Sequence, residues 1–396
     1  MPTQIIFLNT HPIQYFAPLY KKVTSEIKDK NVKVWYCSKH GLEGEIDKQF
    51  GVSVKWDLPI LEGYQYKFLK NSSWKPSIYN GFWGLFNWEI LKLLRKEPKS
   101  LIIIHGWNFA SSLLSIIGGK LLGHKIAIRG EAPITLERLR SKKSRILKGA
   151  FLRFLSIFVD HFFYIGQNNY EYYISYGISK KKLIFTPYAV DNERFQKEYQ
   201  KLNLEKMQLR QELKLDPEVI YTLYSGKYIE KKHPMDLLLA ITLLQEQGIR
   251  IGAVLMGEGA LRPQLEAYIR EKNLSNIHLT GFINQNHISK YYTASDLFVM
   301  CSDEGETWGL STNEAMNFAL PIILYNAVGC CPNLVNDNIN GFSVDKHDIT
   351  QLANAIKQIC INHDLRQAQG KNSLKTINNY SYNQIIDGIL LAINGK

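Results

Sequence analysis

Along most of this chain short apolar runs alternate with longer amphipathic ones, and that alternation admits few folds. An apolar run of about four to eight residues suits a strand covered on both faces, and a longer amphipathic stretch suits a helix lying on one of them. Repeated, the pair is the β-α-β unit of a parallel sheet wound with helices on both sides. In the first half the strand candidates are Gln4–Asn9, Val32–Cys37, Leu101–Ile104, Lys125–Arg129 and His161–Ile165. A loop-rich, aromatic segment from Gly63 to Trp88 interrupts them. In the second half they are Val219–Ser225, Gly252–Met256, Ile277–Leu279, Leu297–Cys301 and Ile322–Leu324, with helices expected over Met235–Gln247, Leu261–Lys272, Ile288–Ala294 and Leu310–Phe318.

A chain of 396 residues is too long for one ordinary core, so two doubly wound α/β domains are expected. We place them at 1–190 and 191–375, with the polar stretch Glu193–Pro217 as connection and a helix in 376–396 packing back on the first domain. Two such sheets facing each other leave a cleft outside the carboxyl ends of their strands, where ligands of these sheets bind.

The uncharged stretch Leu101–Gly119 is long enough for a membrane span. His105, Gly106, Asn108, three serines and a Gly-Gly pair interrupt it, so it reads instead as a buried strand, a turn and a helix. Five cysteines without metal-ligand spacing fit a reducing compartment better than a disulfide framework. The apolar Ile5–Leu8 run near the N-terminus reads as a first strand rather than a secretory leader. A cytoplasmic location is the expectation.

Charge is uneven. Residues 1–190 hold 28 Lys/Arg against 13 Asp/Glu, a balance of +15, and residues 191–396 hold 20 against 23, a balance of −3. A basic first half faces something anionic. Between Arg138 and Arg153 there are seven basic residues and no acid, with Leu139, Ile146, Leu147, Phe151, Leu152, Phe154 and Leu155 among or just after them. That is the pattern of a basic amphipathic helix, which lies on an anionic membrane surface or packs a core stripe with its charges in solvent. Residues 138–155 are the expected membrane contact. No nucleic-acid-binding module is recognisable, so nucleic acid is not an expected partner.

Two segments of the second half carry the chemistry. Leu297–Met316 reads as a strand, a loop with Glu306, Thr307, Trp308 and Gly309, then a helix from Leu310 that carries Glu314. Amides at a helix start lack intrahelical acceptors and suit an anion, and two carboxylates can each accept from vicinal hydroxyls, one on a sugar and one on a ribose. The plainer reading is a solvated acidic loop at a helix start. In Tyr221–Pro234, Gly226 ends a strand and Lys227 and Lys232 follow on the loop, where two ammonium groups can neutralise a departing diphosphate.

These segments resemble the retaining glycosyltransferase family four, glycosyl transferases group 1. Its E-x7-E motif stands here as Glu306-Thr307-Trp308-Gly309-Leu310 and Glu314-Ala315-Met316, and its G-R-L-x-x-x-K loop as Gly226-Lys227-Tyr228 and Lys232. Its G-x-G and G-F strand ends stand as Gly257-Glu258-Gly259 and Gly281-Phe282-Ile283, and its linker motif as Pro187-Tyr188-Ala189-Val190-Asp191 with Phe195. The resemblance extends from about Val159 to the C-terminus and is thin before it. It implies a GT-B fold, two Rossmann-like domains facing across a cleft, and transfer of a sugar from a UDP- or GDP-sugar to a hydroxyl of a glycan or lipid-linked acceptor in cell-surface polysaccharide or glycolipid synthesis.

The resemblance further implies that Lys227 and Lys232 bind the diphosphate. Glu306 with the Thr307–Leu310 backbone would hold the sugar and β-phosphate, Glu314 the ribose, and Phe282–Ile283 the base. Gly226 and Glu258 belong to the same donor set, and Thr307 and Trp308, in place of Gly-Phe, are expected to narrow the pocket. Lys227 stands where the family has arginine, keeping charge but losing bidentate contact. No metal and no cofactor are expected. On the acceptor side the candidates are His11, Gln14, Tyr15, His105, Arg129 and Glu131, with His11, His105 and Arg129 open to a catalytic part. Alternative readings are a GT-B sugar-nucleotide epimerase and a non-catalytic peripheral membrane protein that binds sugar nucleotides.

Overall fold

The computed structural model describes residues 2–42, 46–47, 52–53, 57 and 59–395. The chain divides into two compact units, one of residues 1–45, 58–188 and 382–396, the other of residues 46–57 and 189–381. The second unit is thus an insertion between the body of the first and its last helix, Tyr382–Asn394.

In the first unit seven strands form one parallel sheet: β1 Gln4–Asn9, β2 Asn31–Tyr36, β3 Gln65–Phe68, β4 Ser100–His105, β5 Lys125–Arg129, β6 His161–Tyr164 and β7 Leu183–Phe185, in the order β3-β2-β1-β4-β5-β6-β7. Every residue of β1 is buried, as expected of a central strand with helices on both faces. Its Ile5, Ile6, Phe7 and Leu8 each contribute about 1.5–3 kcal/mol of apolar burial. Leu101–Gly119 folds as strand β4 and the helix Ala110–Leu121, and no described helix is long and apolar enough to cross a membrane. The last helix closes on this unit: Tyr382 Oη donates to the Tyr15 carbonyl (3.1 Å) and Lys125 Nζ to the Ile393 carbonyl (3.1 Å).

The second unit carries a parallel six-stranded sheet: β8 Ile220–Ser225, β9 Ile251–Met256, β10 Ile277–Gly281, β11 Leu297–Met300, β12 Ile322–Tyr325 and β13 Gly341–Val344, in the order β10-β9-β8-β11-β12-β13. Chain order reverses between β8 and β11, and likewise between β1 and β4 in the first sheet. Such reversals open the crevice in which doubly wound sheets bind ligands.

Several expectations are corrected. Gly63–Trp88 contains β3, whose Gln65-Tyr66-Lys67-Phe68 is mostly exposed at the sheet edge and so lacks the apolar signature of an inner strand. Strands β7 and β13, three and four residues long, were likewise absent from the expected set. Glu193–Pro217 is no linker: it forms the helices Asn192–Leu202 and Lys206–Glu212 of the second unit. Asp191 caps the first by accepting from the Arg194 amide, and buried Arg210 pairs with Asp296 at 2.5 Å and donates to the Ala294 carbonyl at 2.9 Å. The charges that suggested a solvated connector are the outer faces and one buried ion pair of those helices.

Candidate functional site

The loops that follow β8 and β11, on either side of the reversal in the second sheet, are bound to each other. Asp303 N donates to the Lys231 carbonyl (3.0 Å), Ser311 Oγ donates to the Ser225 carbonyl (3.1 Å), and the Lys232 ammonium forms an ion pair with the Glu306 carboxylate. Lys227 lies close enough to act on the charge of Lys232. The lysines of the Gly226–Lys232 loop and the start of the helix Leu310–Met316 are therefore neighbours.

Glycine makes that juncture possible. Gly309 enters the helix at φ 101°, and a Cβ there would meet Met300 Sδ at 2.8 Å, so a side chain would be both strained and crowded. At the far side Gly257 packs so closely that a Cβ would lie 1.9 Å from the Gly226 carbonyl oxygen. Tyr228 N donates to the Glu258 carbonyl (2.8 Å) and Leu261 N to the Tyr228 carbonyl (3.0 Å), locking the Gly226–Lys232 loop on the 257–261 loop.

Electrostatically the loop calls for an anion. Burial, then Lys231 and Lys227, pull the Lys232 ammonium down to about 8, with Asp303 opposing. Lys227, Lys231 and Lys232 outnumber the Asp303 and Glu306 carboxylates beside them, a balance that suits an anion.

Glu314 is 3% exposed. Its Oε1 accepts from Gln285 Nε2 (3.1 Å) and its Oε2 from Tyr292 Oη (2.8 Å). These two donors fix the carboxylate in place. The plainer reading of an acidic solvated loop holds for Glu304, which pairs with Lys346 at 2.7 Å, but not for Glu306 or Glu314. Glu258 forms an ion pair with Arg262. Phe282 and Ile283 border a recess with Asn284, His287 and Tyr291.

Trp308 departs from expectation. Its indole is 2% exposed, donates to Asn313 Oδ1 at 2.8 Å and packs 5.9 Å from the Tyr380 ring. It fills the interior of the unit instead of narrowing an open pocket. The backbone of this segment is anchored on the next loop: the Glu306 carbonyl accepts from Gly329 N and the Trp308 carbonyl from Cys330 N, both at 3.0 Å.

In the first unit the acceptor-side candidates fall into two groups. His105, Arg129 and Glu131 gather after β4 and β5 with Phe16 and Tyr188. The Arg129 guanidinium lies 5.5 Å from the Phe16 ring centre and 5.2 Å from that of Tyr188, and His105 meets Phe16 edge to face at 4.6 Å. Burial, then Arg129, lowers His105 to about 3, so it is a neutral imidazole. Burial raises the Glu131 carboxyl against the opposing pull of Arg129 and Tyr188. The His11 ring lies 5.3 Å from that of His40, which in turn contacts Tyr79. Burial and His40 lower His11 to about 4. Gln14 is buried in the loop after β1, and Tyr15 is bound through its carbonyl to Tyr382.

Sequence reasoning did not single out Tyr292 and Gln285, which hold Glu314, nor Phe16 and Tyr188, whose rings lie against Arg129. Tyr188 alone carried a signal, as part of the Pro187–Asp191 motif.

The helix Lys142–Leu155, capped by Ser141 accepting from the Ser144 amide, divides its residues between two faces. Gly149, Leu152 and Leu155 are buried, and Lys148 pairs with Glu137 at 2.5 Å. Ile146, Leu147 and Phe154 are more than half exposed, as are Leu139 before the helix and Ile157 after it. The core stripe and the exposed apolar face coexist.

An uncharacterized glycosyltransferase of Methanocaldococcus jannaschii is 25% identical over 169 residues, 43% of this chain and 46% of its own. The poly(glycerol-phosphate) alpha-glucosyltransferase of Bacillus subtilis (strain 168) is 21% identical over 378 residues, 93% of this chain and 47% of its own. The chain thus spans less than half the length of either relative. Among solved structures, Anabaena HepE in complex with UDP superposes with a TM-score of 0.73 over the whole of both chains at 16% identity, which speaks for the fold alone. Residues 205–376, which include Gly226–Lys232, Glu258, Phe282–Ile283 and Glu306–Glu314, match the family model of glycosyl transferases group 1.

Proposed function

We propose that this chain is a glycosyltransferase that moves a sugar from a UDP- or GDP-sugar to a hydroxyl of a glycan or lipid-linked acceptor, with retention at the anomeric carbon, in the synthesis of a cell-surface polysaccharide or glycolipid. The observation that carries this reading is the cross-linking of the Gly226–Lys232 and Asp303–Gly309 loops at the sheet reversal, through Lys231–Asp303, Lys232–Glu306 and Ser225–Ser311. UDP is favoured as the nucleotide because the solved HepE structure of the same fold holds it.

In this mechanism the bond from the anomeric carbon to the β-phosphate oxygen breaks on the face from which the acceptor oxygen approaches. The acceptor oxygen bonds to that carbon, and its proton passes to the departing phosphate. Lys227, Lys232 and the first amides of the Leu310 helix stabilise charge that grows on the diphosphate as the bond breaks. Glu306 holds Lys232 in place before the donor arrives and accepts from the sugar hydroxyls after it. Glu314, oriented by Tyr292 and Gln285, accepts from the ribose hydroxyls.

The basic balance of residues 1–190 supports an anionic acceptor or an anionic membrane surface. The exposed Ile146, Leu147 and Phe154, beside Lys142, Lys143 and Arg145, suit peripheral attachment to the inner face of a membrane.

The test is thermal stabilisation of the purified protein across UDP-, GDP- and dTDP-sugars. A ligand at 100 times its dissociation constant adds about 2.7 kcal/mol. One UDP- or GDP-sugar is expected to stabilise, and incubation of that donor with candidate acceptors to release the nucleoside diphosphate. An epimerised donor formed without acceptor, or no stabilisation by any member of the panel, overturns the reading.

A further inference from the structure

Outside the groups assigned to the donor, His233, Asp236 and His347 bring one ligand atom each within 4.8 Å of the other two. They arrive from two parts of the second unit. His233 ends the phosphate loop and leads into the helix Pro234–Glu246, Asp236 lies on the first turn of that helix, and His347 lies between β13 and the helix Ile349–Ile361.

Asp236 Oδ2 is 3.0 Å from His347 Nδ1 and accepts from Tyr325 Oη at 2.8 Å, so the carboxylate is held by an outer hydrogen bond as metal-bound carboxylates are. The two imidazoles meet edge to face with centres 4.4 Å apart, and His233 Nε2 is 3.9 Å from Asp303 Oδ2. Both histidines also occupy left-handed backbone, φ 43° and 65°, two of seven non-glycine residues among the described ones to do so.

Two imidazoles and one carboxylate are a donor set for a divalent transition metal and not for magnesium or calcium, which take oxygen. We propose that His233, Asp236 and His347 bind one divalent ion of the zinc class, with a fourth position for water or Asp303, and that the ion pins the Lys232-bearing loop to the β13 side of the sheet. The site departs from the expectation that no metal takes part. Its role is to tie loops together, while the lysines carry the diphosphate.

The experiment uses the full chain, stripped with a chelator, dialysed and titrated with zinc chloride by calorimetry, with cobalt(II) as the spectroscopic probe. One zinc per chain and a raised Tm are expected. Cobalt should give d–d absorption without a thiolate charge-transfer band. His347→Ala, at a half-exposed side chain, and Asp236→Asn should each weaken zinc binding about 100-fold or more. Absence of stoichiometric zinc binding, a thiolate band that locates the ion on cysteine, or wild-type affinity in both variants overturns the proposal. Stabilisation of the zinc-free protein by a sugar nucleotide is read separately, so the metal site and the donor site can fail independently.

Discussion

The ammonium of Lys232 and the carboxylate of Glu306, 74 residues apart in the chain, form an ion pair in which both side chains are less than one-fifth exposed. Breaking such a pair from one side strands the other charge. Lys232→Ala is therefore expected to abolish stabilisation by the sugar nucleotide and to lower affinity at least about 10-fold, the loss of a charged hydrogen bond being worth about 1.5–3 kcal/mol. Thermal shift and calorimetry with the best donor check this. An unchanged shift would move the anion site away from this loop.

The depressed Lys232 also predicts a pH dependence. Its value falls from 10.5 to about 8 on folding, so between those values the unfolded chain binds more protons and stability of the ligand-free protein rises with pH. Donor affinity has the opposite slope: it holds below pH 8 and falls above it, by up to about 10-fold per unit, as the ammonium is lost. Calorimetric titrations of chelator-treated protein from pH 7 to 10 test the limb, which Lys232→Arg should flatten.

Gly309→Ala should destabilise the fold by about 1–3 kcal/mol, because alanine would occupy φ 101° with its Cβ against Met300. The Tm is the measurement, and donor affinity should fall with it because the helix start moves.

Trp308 separates stability from binding. Trp308→Phe leaves Asn313 Oδ1 without the indole donor, a loss of about 1–3 kcal/mol. Affinity for the sugar nucleotide should stay within about 3-fold, since the side chain is buried. A large loss of affinity at unchanged Tm would return the indole to the pocket.

For the membrane reading, the double substitution Ile146→Glu and Leu147→Glu removes two exposed apolar side chains and adds two negative charges. Co-sedimentation with anionic vesicles should drop at least about 10-fold, while the donor-induced thermal shift stays unchanged. Wild-type protein remaining in the supernatant with anionic vesicles would remove that surface from consideration.

What the sequence disclosed follows from burial. Strands such as β1, β9 and β11, buried at every position, announce themselves as unbroken apolar runs. β3 is an exposed edge and carries no such run. The E-x7-E spacing picks out Glu306 and Glu314, but their environments are set by distant residues: Tyr292 and Gln285 for one, Lys232 for the other. The buried position of Trp308 is equally tertiary, since a large aromatic beside a glycine reads the same whether it faces a ligand or the core. The metal-capable trio draws on two loops more than a hundred residues apart, which no local pattern joins.

The helix Tyr382–Asn394 packs Gly388 so tightly on β7 that a Cβ there would lie 2.6 Å from Thr186. Because that helix is translated after residues 189–381, the sheet that leaves the ribosome first is the last to be completed. The inserted unit can fold while the first still has an uncovered edge at β7. A chain that has not yet reached Tyr382 would carry a finished second unit and an unclosed first one, an intermediate of each round of synthesis that leaves β7 open to chaperones and proteases.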